Sequence, residues 1–237
     1  MCEHYIARSV SPFRLDELWE FTERLERFGL AGYGWGAAWI DDAGRLQSYR
    51  DVRAFRDDPG RMTVGRTETT SALVHLRRPS RLSTLGLADT QPFDDPRGRY
   101  SFSHNGDLLN YRTFRARFRS QGRLHGRADT EVGARWLEDE WHDAEPVPHL
   151  LAALHDTFGG QANLAVLTAD GGAHHYAGNR ENPVFAFRLG TIGLAGTGLY
   201  SLDRSVFKYA ARGATDRRLV KIRTTISLGP DGAPTAA

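Results

Sequence analysis

Hydrophobic residues recur along this chain with two different periods, and together they predict a mixture of strands and helices. Spacing of three to four residues over Leu15 to Phe28 predicts an amphipathic helix that ends near Gly29. Extended segments lie on both sides of it, namely residues 2–8 and the glycine-rich run Gly32 to Ile40. The turn residues Asp41 to Gly44 then predict a hairpin, so the first part of the chain combines strands with one helix.

The second strand of that hairpin is predicted near Leu46 to Arg50. The polar residues 51–67 are predicted to form a loop. Ser71 to Arg77 predicts a strand, and residues 78–98 predict a long irregular segment. Tyr100 to His104 predicts one more strand. The strands of this region are therefore separated by polar stretches without an obvious period.

The middle of the chain is helical. Asn105-Gly106 is predicted to end the preceding strand at a tight turn, with a helix over Leu108 to Phe118 directly after it. A further helix is predicted from about Thr130 to Trp141, with Asp129 at its N-cap position. A third is predicted over Pro148 to Phe158. These helices are clustered between two runs of strands.

From Gln161 onward the pattern returns to strands. Four are predicted, over Asn163–Thr168, His174–Tyr176, Val184–Arg188 and Thr191–Ala195. A short helix over Leu202 to Ala211 and a final hairpin of Leu219–Arg223 with Thr225–Leu228 are predicted to complete the domain. The tail 229–237 is rich in Gly, Pro and Ala and is predicted to be disordered. Strands with helices clustered between them predict an α+β fold in one domain, residues 2–228.

Composition narrows the class of protein. A hydrophobic fraction of 40% and a charged fraction of 25% are ordinary for a globular protein of 237 residues. The net charge is only +2, so no global field indicates nucleic acid or an acidic membrane surface as a partner. The chain shows no secretory signal and no apolar run of about 18 residues. We therefore expect a cytoplasmic protein that binds neither nucleic acid nor membrane.

Cys2 is the only cysteine in the chain, so no intramolecular disulfide can form. Removal of Met1 would make it the N-terminal residue. It would then carry a thiol nucleophile and an α-amine whose unperturbed pKa is about 7.7–8.0. Because that amine can accept the thiol proton, no separate histidine is needed to activate the sulfur. The ordinary alternative is a cysteine in a frayed terminus.

Three other features carry polar chemistry at the ends of predicted elements. Arg77 leaves a strand and could hold a carboxylate, although a surface guanidinium is the ordinary alternative. Asn105 and Gly106 offer a side-chain amide and a backbone N–H, the donors of an oxyanion hole, although Asn-Gly is also a common turn. Asp129 could bind an ammonium group or serve only as a helix cap.

The order and spacing of the motifs resemble those of one enzyme family. The motifs are Met-Cys, Gly-Tyr-Gly-Trp-Gly-Ala-Ala-Trp, His-Leu-Arg, Asp-Thr-Gln-Pro-Phe, Phe-Ser-His-Asn-Gly-Asp-Leu and Ala-Asp-Thr-Glu. Together they resemble the class II glutamine amidotransferases, which are N-terminal-nucleophile hydrolases. The resemblance covers residues 2–210 and is strongest to stand-alone members, including the γ-glutamyl hydrolase of ergothioneine biosynthesis. It implies a four-layer αββα sandwich of two antiparallel sheets.

The resemblance also implies roles for individual residues. Cys2 matches the nucleophile that attacks the glutamine side-chain amide, and Asn105 with Gly106 matches the oxyanion pair. Arg77 matches the arginine that binds the substrate α-carboxylate, and Asp129 the aspartate that binds its α-ammonium group. Ser80 corresponds to a Thr or Ser near the substrate carboxylate, whereas His75 and His104 are expected to brace strand ends. The family's reaction requires no cofactor and no metal.

Two departures from the family pattern concern the loops. Arg78-Pro79 follows Arg77 where relatives often have a small or aromatic residue. Residues 89–93 read Asp-Thr-Gln-Pro-Phe where relatives often have Asn-x-His-Pro-Phe. The loss of that Asn and His changes the contacts of the loop.

The sequence thus predicts a glutaminase that releases ammonia from L-glutamine. We expect no fused synthase domain, so a separate synthetase or ligase would receive the ammonia. Two alternatives stay open at this point. One is a hydrolase of a larger γ-glutamyl amide or conjugate, and the other is a catalytically idle, glutamine-binding regulatory subunit.

Overall fold

Two antiparallel β-sheets lie at the centre of the structure. The computed structural model describes residues 2–199 and 205–237. The strands in chain order are β1 (Glu3–Arg14), β2 (Trp35–Ile40), β3 (Leu46–Asp51), β4 (Glu68–Leu76), β5 (Phe93–Asp94), β6 (Tyr100–Gly106), β7 (Ala162–Thr168), β8 (Ala173–Ala177), β9 (Val184–Leu189), β10 (Ile192–Thr197), β11 (Thr215–Leu219), β12 (Thr224–Leu228) and β13 (Pro234–Ala236). One sheet has the order β11-β9-β10-β1-β4-β2-β3, and the other has the order β13-β12-β8-β7-β6-β5.

The helices lie on the outer faces of these sheets. They are α1 (Trp19–Phe28), α2 (Gly60–Gly65), α3 (Tyr111–Ser120), α4 (Asp129–Glu140), α5 (Val147–Phe158) and α6 (Val206–Ala210). In the part of the chain that the structure describes, no helix has both the length and the apolar character needed to span a bilayer.

Three separate apolar clusters show how the layers pack. The first joins the seven-stranded sheet to α1 and α6, and the second joins the six-stranded sheet to α3, α4 and α5. The third contains residues of both sheets, which face each other. Along β1, Tyr5 and Ala7 belong to the first cluster and Ile6 to the third, as the two-residue period of a strand requires. The order of layers is helix, sheet, sheet, helix, which confirms the predicted α+β four-layer sandwich.

The segment 51–67 is not the loop that its polar composition predicts. It contains a helical turn over Phe55–Asp57 and the short helix α2. Phe55 is fully buried in the first cluster, and Val64 packs there as well. Two apolar anchors in an otherwise polar stretch are too few to produce a visible period, although their burial holds the segment in place.

The Asn105-Gly106 dipeptide is likewise not a turn. Both residues continue β6, where Asn105 lies opposite Asn163 and Gly106 opposite Ala162. The following helix, α3, begins only at Tyr111. Pairing with β7 therefore extends the strand through a dipeptide whose local preference is a turn.

The C-terminal prediction was wrong in two respects. The predicted hairpin does not form. Its first strand, Leu219–Arg223, overlaps β11 only at Leu219, and β11 pairs with β9 in one sheet whereas β12 pairs with β8 in the other. Val220, between them, is buried in the cluster that joins the two sheets. The tail 229–237, predicted to be disordered, ends in β13, which pairs with β12. Backbone hydrogen bonds order this tail despite its composition.

The predicted helix Leu202 to Ala211 can be compared with the structure only in part. Its first three residues, 202–204, lie outside the described residues. Its later part corresponds to α6.

Three buried histidines lie between the sheets, namely His4 on β1, His75 on β4 and His175 on β8. A fourth, His104 on β6, is buried on the helix-facing side of the second sheet. The His4 ring centroid lies 4.6 Å from that of His175 and 6.4 Å from that of His75. Burial lowers the pKa of all four imidazoles, to about 3 in the case of His175. All four imidazoles are therefore neutral at neutral pH.

We expect these histidines to make the fold sensitive to acid. In the unfolded chain their pKa is about 6.5, so below that pH the unfolded state binds more protons than the folded state. The free energy of unfolding should therefore be fully retained above pH 6.5 and fall as the pH drops towards the lowered pKa values. Each neutral imidazole contributes a slope of up to about 1.4 kcal/mol per pH unit.

Urea unfolding between pH 7.5 and 5 measures this slope. His175→Leu should reduce it by about the contribution of one imidazole, because an uncharged side chain then occupies the site. His149→Leu is the matched control, since the His149 side chain is 71% exposed. Equal slopes for the wild type and His175→Leu would contradict the expectation.

Candidate active site

Pairing between β1 and β4 brings Cys2 to the end of the strand that precedes Arg77. Glu3 lies opposite Leu76, so the residue before β1 meets the residues that follow β4. The Arg78 backbone N–H donates to Cys2 Sγ at 3.4 Å, and the thiol lies 3.7 Å from the Arg78 carbonyl oxygen. Burial raises the pKa of the Cys2 thiol, while the Arg78 N–H and the Arg77 charge oppose that rise.

A cavity of about 440 Å³ opens beside Cys2. Its lining includes Arg77, Ser80, Gly106 and Asp129, which the sequence singled out together with Cys2. These residues come from four separate segments of the chain. The tertiary structure thus brings five of the six predicted site residues to one cavity.

Arg77 is a buried cation at this cavity. Its residue is only 3% exposed, its Nη2 donates to the Thr84 carbonyl oxygen at 2.5 Å, and its Nε has no hydrogen-bond partner. Among the described residues, no carboxylate forms an ion pair with it. Burial lowers its pKa, while the Cys2 thiol, Asp89 and Asp129 raise it, and a guanidinium stays protonated in proteins. Its spare donors can therefore bind an incoming carboxylate.

Asp129 lies across the cavity at the start of α4. The N-cap position belongs to Ala128, so the prediction of Asp129 as the N-cap was wrong by one residue. Its Oδ2 accepts the Leu108 N–H and its Oδ1 accepts the Thr130 N–H, both at 2.9 Å. Each carboxylate oxygen keeps a further lone pair, so the group can also accept hydrogen bonds from an ammonium ion.

Asn105 does not line the cavity but contacts Cys2 itself. It is fully buried, and its Nδ2 donates to the Cys2 carbonyl oxygen. Its Oδ1 accepts from Asn163 Nδ2 at 3.1 Å. Asn163 is oriented in turn by the N–H groups of Gly178 and Asn179, which both donate to its Oδ1 at 3.0 Å. This series of amides determines that Nδ2, and not Oδ1, of Asn105 faces Cys2.

Gly106 follows Asn105 at the wall of the cavity. Its φ of 124° is one that side chains with a Cβ rarely adopt. An added Cβ would also collide with the Gln161 carbonyl oxygen. The backbone can therefore reach the cavity here only because the residue is glycine.

The remaining predicted residues differ in their surroundings. Ser80 is exposed at the edge of the cavity. His104 lines the cavity, and its Nδ1 lies 3.0 Å from Thr130 Oγ1. His75 is buried between the sheets and is not part of the cavity lining.

Sequence reasoning missed the residues that hold the site together. Asp89 Oδ1 accepts the backbone N–H groups of Arg127 and Ala128 at 2.5 and 2.6 Å, just before Asp129. Gln91 Oε1 accepts the His104 N–H at 2.6 Å, and its Nε2 donates to Thr130 Oγ1 at 3.2 Å. Both lie in the Asp-Thr-Gln-Pro-Phe stretch, which is one of the motifs in the sequence and also a departure from the family pattern, but no role was predicted for either residue. Their role depends on their burial, and the burial of a charged or amide side chain in a loop cannot be predicted from the sequence.

Among the described residues, no group of three or more His, Cys, Asp or Glu side chains has the arrangement to hold a metal ion.

Asp89→Ala should loosen the segment that carries Asp129. Two backbone N–H groups would lose a charged acceptor, so we expect a loss of about 1–3 kcal/mol in the free energy of unfolding. Hydrogen exchange at the Arg127 and Ala128 amides should accelerate by more than the global loss of stability explains. Asp42→Ala, at an exposed turn, is the control. Unchanged exchange at these two amides would show that Asp89 does not hold the segment.

Comparison with known proteins supports one assignment. Residues 80–180 match the family model described as a glutamine amidotransferase domain. That range includes Ser80, Asn105, Gly106 and Asp129, whereas Cys2 and Arg77 lie outside it. No curated protein sequence matches the chain closely enough to count as a relative.

Solved structures share the fold along the whole chain. The glutamine phosphoribosylpyrophosphate (PRPP) amidotransferase from B. subtilis, complexed with ADP and GMP, has a TM-score of 0.76 at 16% identity, over 100% of this chain and 49% of its own. A structure described as the allosteric regulatory enzyme of purine biosynthesis gives 0.77 at 15%, over 100% and 48%. The present chain thus spans about half the length of these two proteins.

A third structure is similar in length. It is a glutamine aminotransferase class-II domain protein from Silicibacter pomeroyi, with a TM-score of 0.61 at 17% identity, over 99% of this chain and 98% of that one. At such identities the likeness concerns the fold. The match over residues 80–180 and the fold shared along the whole chain both indicate similarity to class II glutamine amidotransferase domains.

Proposed function

We propose that this domain hydrolyses the side-chain amide of L-glutamine through a γ-glutamyl thioester on Cys2. The observation that carries the proposal is one cavity lined by the Cys2 thiol, the buried Arg77 guanidinium, the Gly106 backbone and the Asp129 carboxylate. In this proposal Arg77 binds the substrate α-carboxylate and Asp129 binds its α-ammonium group. The side-chain amide then extends towards Cys2, and Ser80 lies near the substrate head.

The first half of the reaction forms the thioester. Because burial raises the pKa of the Cys2 thiol, little thiolate is present at neutral pH and a base is needed. The α-amine of Cys2, freed by removal of Met1, takes the proton. Sulfur attacks the amide carbon, and the resulting oxyanion accepts hydrogen bonds from Asn105 Nδ2 and the Gly106 N–H. When the C–N bond breaks, the ammonium group of Cys2 returns the proton and ammonia leaves.

The second half regenerates the thiol. The same amine takes a proton from water, whose oxygen attacks the thioester carbon through a second oxyanion. The C–S bond breaks, glutamate forms, and sulfur recovers its proton from the ammonium group. Met1 itself lies outside the described residues, so its removal is part of the proposal. A Cys2 that is still joined to Met1 has an amide nitrogen and no free base.

The ammonia is proposed to serve a separate acceptor-binding synthetase or ligase. The B. subtilis structure, whose name is that of an amidotransferase, is about twice the length of this chain. A reducing cytoplasm suits the reaction, because it keeps the thiol free.

The size of the cavity favours a second candidate substrate. At about 440 Å³ it falls in the range of about 300–1,000 Å³ that holds drug-sized ligands, and one amino acid is smaller than these. A larger γ-glutamyl amide would use the same steps and release an amine in place of ammonia. An idle regulatory subunit is not favoured. Its only support was the altered loop 89–93, in which Asp89 and Gln91 make buried contacts that support the site.

Cys2→Ala tests the nucleophile. We expect glutamate release to fall by a factor on the order of 10³ or more, since no covalent intermediate can form. A glutamine-analogue diazoketone should add one equivalent of mass to the processed wild type and none to Cys2→Ala. Thermal unfolding of both proteins checks that the variant is folded. Equal rates of glutamate release in the two would refute the proposed mechanism.

Asn163→Asp tests whether the orientation of Asn105 matters. Aspartate would still accept the N–H groups of Gly178 and Asn179, but would present an oxygen to Asn105 in place of a donor. Asn105 should then turn its amide and withdraw the oxyanion donor from Cys2. We expect kcat to fall about 10²–10³-fold with little change in KM.

Asn110→Asp is the matched control, because Asn110 is exposed and lies outside the cavity lining. Asn163→Ser should keep more activity than Asn163→Asp, since a hydroxyl can still donate to Asn105. An unchanged kcat in Asn163→Asp would separate Asn105 from the reaction.

A further inference from the structure

The outer part of the active-site cavity is lined by arginines without acidic partners. Arg78 and Arg81 follow β4, Arg112 belongs to α3, and Arg127 precedes α4. In the described part of the chain, none of the four forms an ion pair with a carboxylate. Arg78 is half-buried and the other three are exposed. Two arginine-rich segments that are more than 30 residues apart in sequence therefore meet at one opening.

Several arginines elsewhere in the described chain are neutralised by carboxylates. Arg53 pairs with Asp51 and Asp58, and Arg99 pairs with Asp95. Arg123 pairs with Glu138 and Asp139. Concentrating cations without such partners around one opening is unfavourable through mutual repulsion unless an anion arrives there.

None of the side chains of these four arginines takes part in the proposed hydrolysis of glutamine. Arg77 and Asp129 are neutralised by the amino-acid head of the substrate, and the amide of glutamine carries no charge. What remains on the lining is the four outer arginines with one carboxylate, Asp107. A group attached to the scissile nitrogen would lie beyond Cys2, in the part of the cavity that glutamine itself does not fill.

We infer that the preferred substrate is a γ-glutamyl amide whose leaving amine carries an anionic group. The group is a carboxylate, sulfonate or phosphate, which guanidinium donors bind through charged hydrogen bonds. The inference rests on the proposed function, taking its second candidate substrate in place of glutamine, and specifies the class of the leaving amine. The bonds formed and broken are those given above. The only difference is that the amine that leaves with the returned proton bears the anion.

A charge series of substrates with the same γ-glutamyl head tests this. L-Glutamine and γ-glutamyl-alaninamide are neutral beyond the scissile bond, γ-glutamyl-alanine and γ-glutamyl-taurine carry one negative charge there, and γ-glutamyl-aspartate carries two. We expect kcat/KM for the anionic members to exceed that for γ-glutamyl-alaninamide by at least about tenfold. Because the arginines are largely exposed, the preference should shrink at about 1 M salt.

The double variant Arg81→Gln/Arg112→Gln should reduce the ratio of anionic to neutral kcat/KM towards one. Arg97→Gln/Arg119→Gln is the matched control, because both residues are exposed and neither lines this cavity. Calorimetry with Cys2→Ala gives a readout without turnover: γ-glutamyl-aspartate should bind at least about tenfold more tightly than γ-glutamyl-alaninamide, and the arginine double variant should remove the difference.

The outcomes distinguish failure of the substrate inference from failure of the proposed function. Hydrolysis of glutamine with no charge preference, or a preference that the arginine double variant leaves intact, overturns the inference and keeps the proposed function. If these arginines instead bind the acidic surface of a partner protein, glutamine should be hydrolysed with no charge preference among the substrates. Failure to hydrolyse any member of the series, together with failure of the diazoketone to label Cys2, overturns the proposed function and the inference with it.

Discussion

The register between β1 and β4 determines where Cys2 lies. Glu3 opposite Leu76 places Cys2 beside Arg77 and Arg78, and the same register sends Tyr5 into the helix-facing core and Ile6 into the inter-sheet core. A slip by one residue would exchange those two faces along the whole strand. The burial of β1 on both sides therefore specifies the position of Cys2 more strongly than any contact that Cys2 makes itself.

The second sheet supplies the other half of the site through buried amides. Asn105 and Gly106 extend β6 to the level of Cys2, and Asn163 on the neighbouring strand orients the Asn105 side chain. A buried amide whose two ends are both bonded has one orientation, which is what an oxyanion donor requires. The catalytic proposal thus depends on hydrogen bonds that lie away from the substrate.

The charges of the molecule are arranged in layers. Between the sheets, three buried imidazoles are neutral, so the inter-sheet core carries no positive charge from them. At the cavity, the buried Arg77 carries a positive charge that acts against the burial that raises the Cys2 pKa. Further out, unpaired arginines surround the opening. The inferred preference for a leaving amine that carries negative charge rests on these outer arginines.

Local patterns in the sequence were sufficient for much of the fold. The helix Trp19–Phe28 and the strands around Tyr5, Val74 and Phe102 were predicted because each buries one or both faces with the period of its own element. The order of the motifs also predicted the layered fold and named Cys2, Arg77 and Asp129, which the structure brings to one cavity. These features are visible in sequence because each depends on residues close together in the chain.

Only the tertiary structure decided the rest. Asn105-Gly106 is a strand end and not a turn, because β7 pairs with it from more than 50 residues away. The crossing of the chain between sheets at Val220 and the ordering of the tail both depend on distant strands. The support given by Asp89 and the meeting of Arg81 with Arg112 at one opening are also long-range. Such contacts leave no period in the sequence, since they are set by pairing and packing between segments that are far apart along the chain.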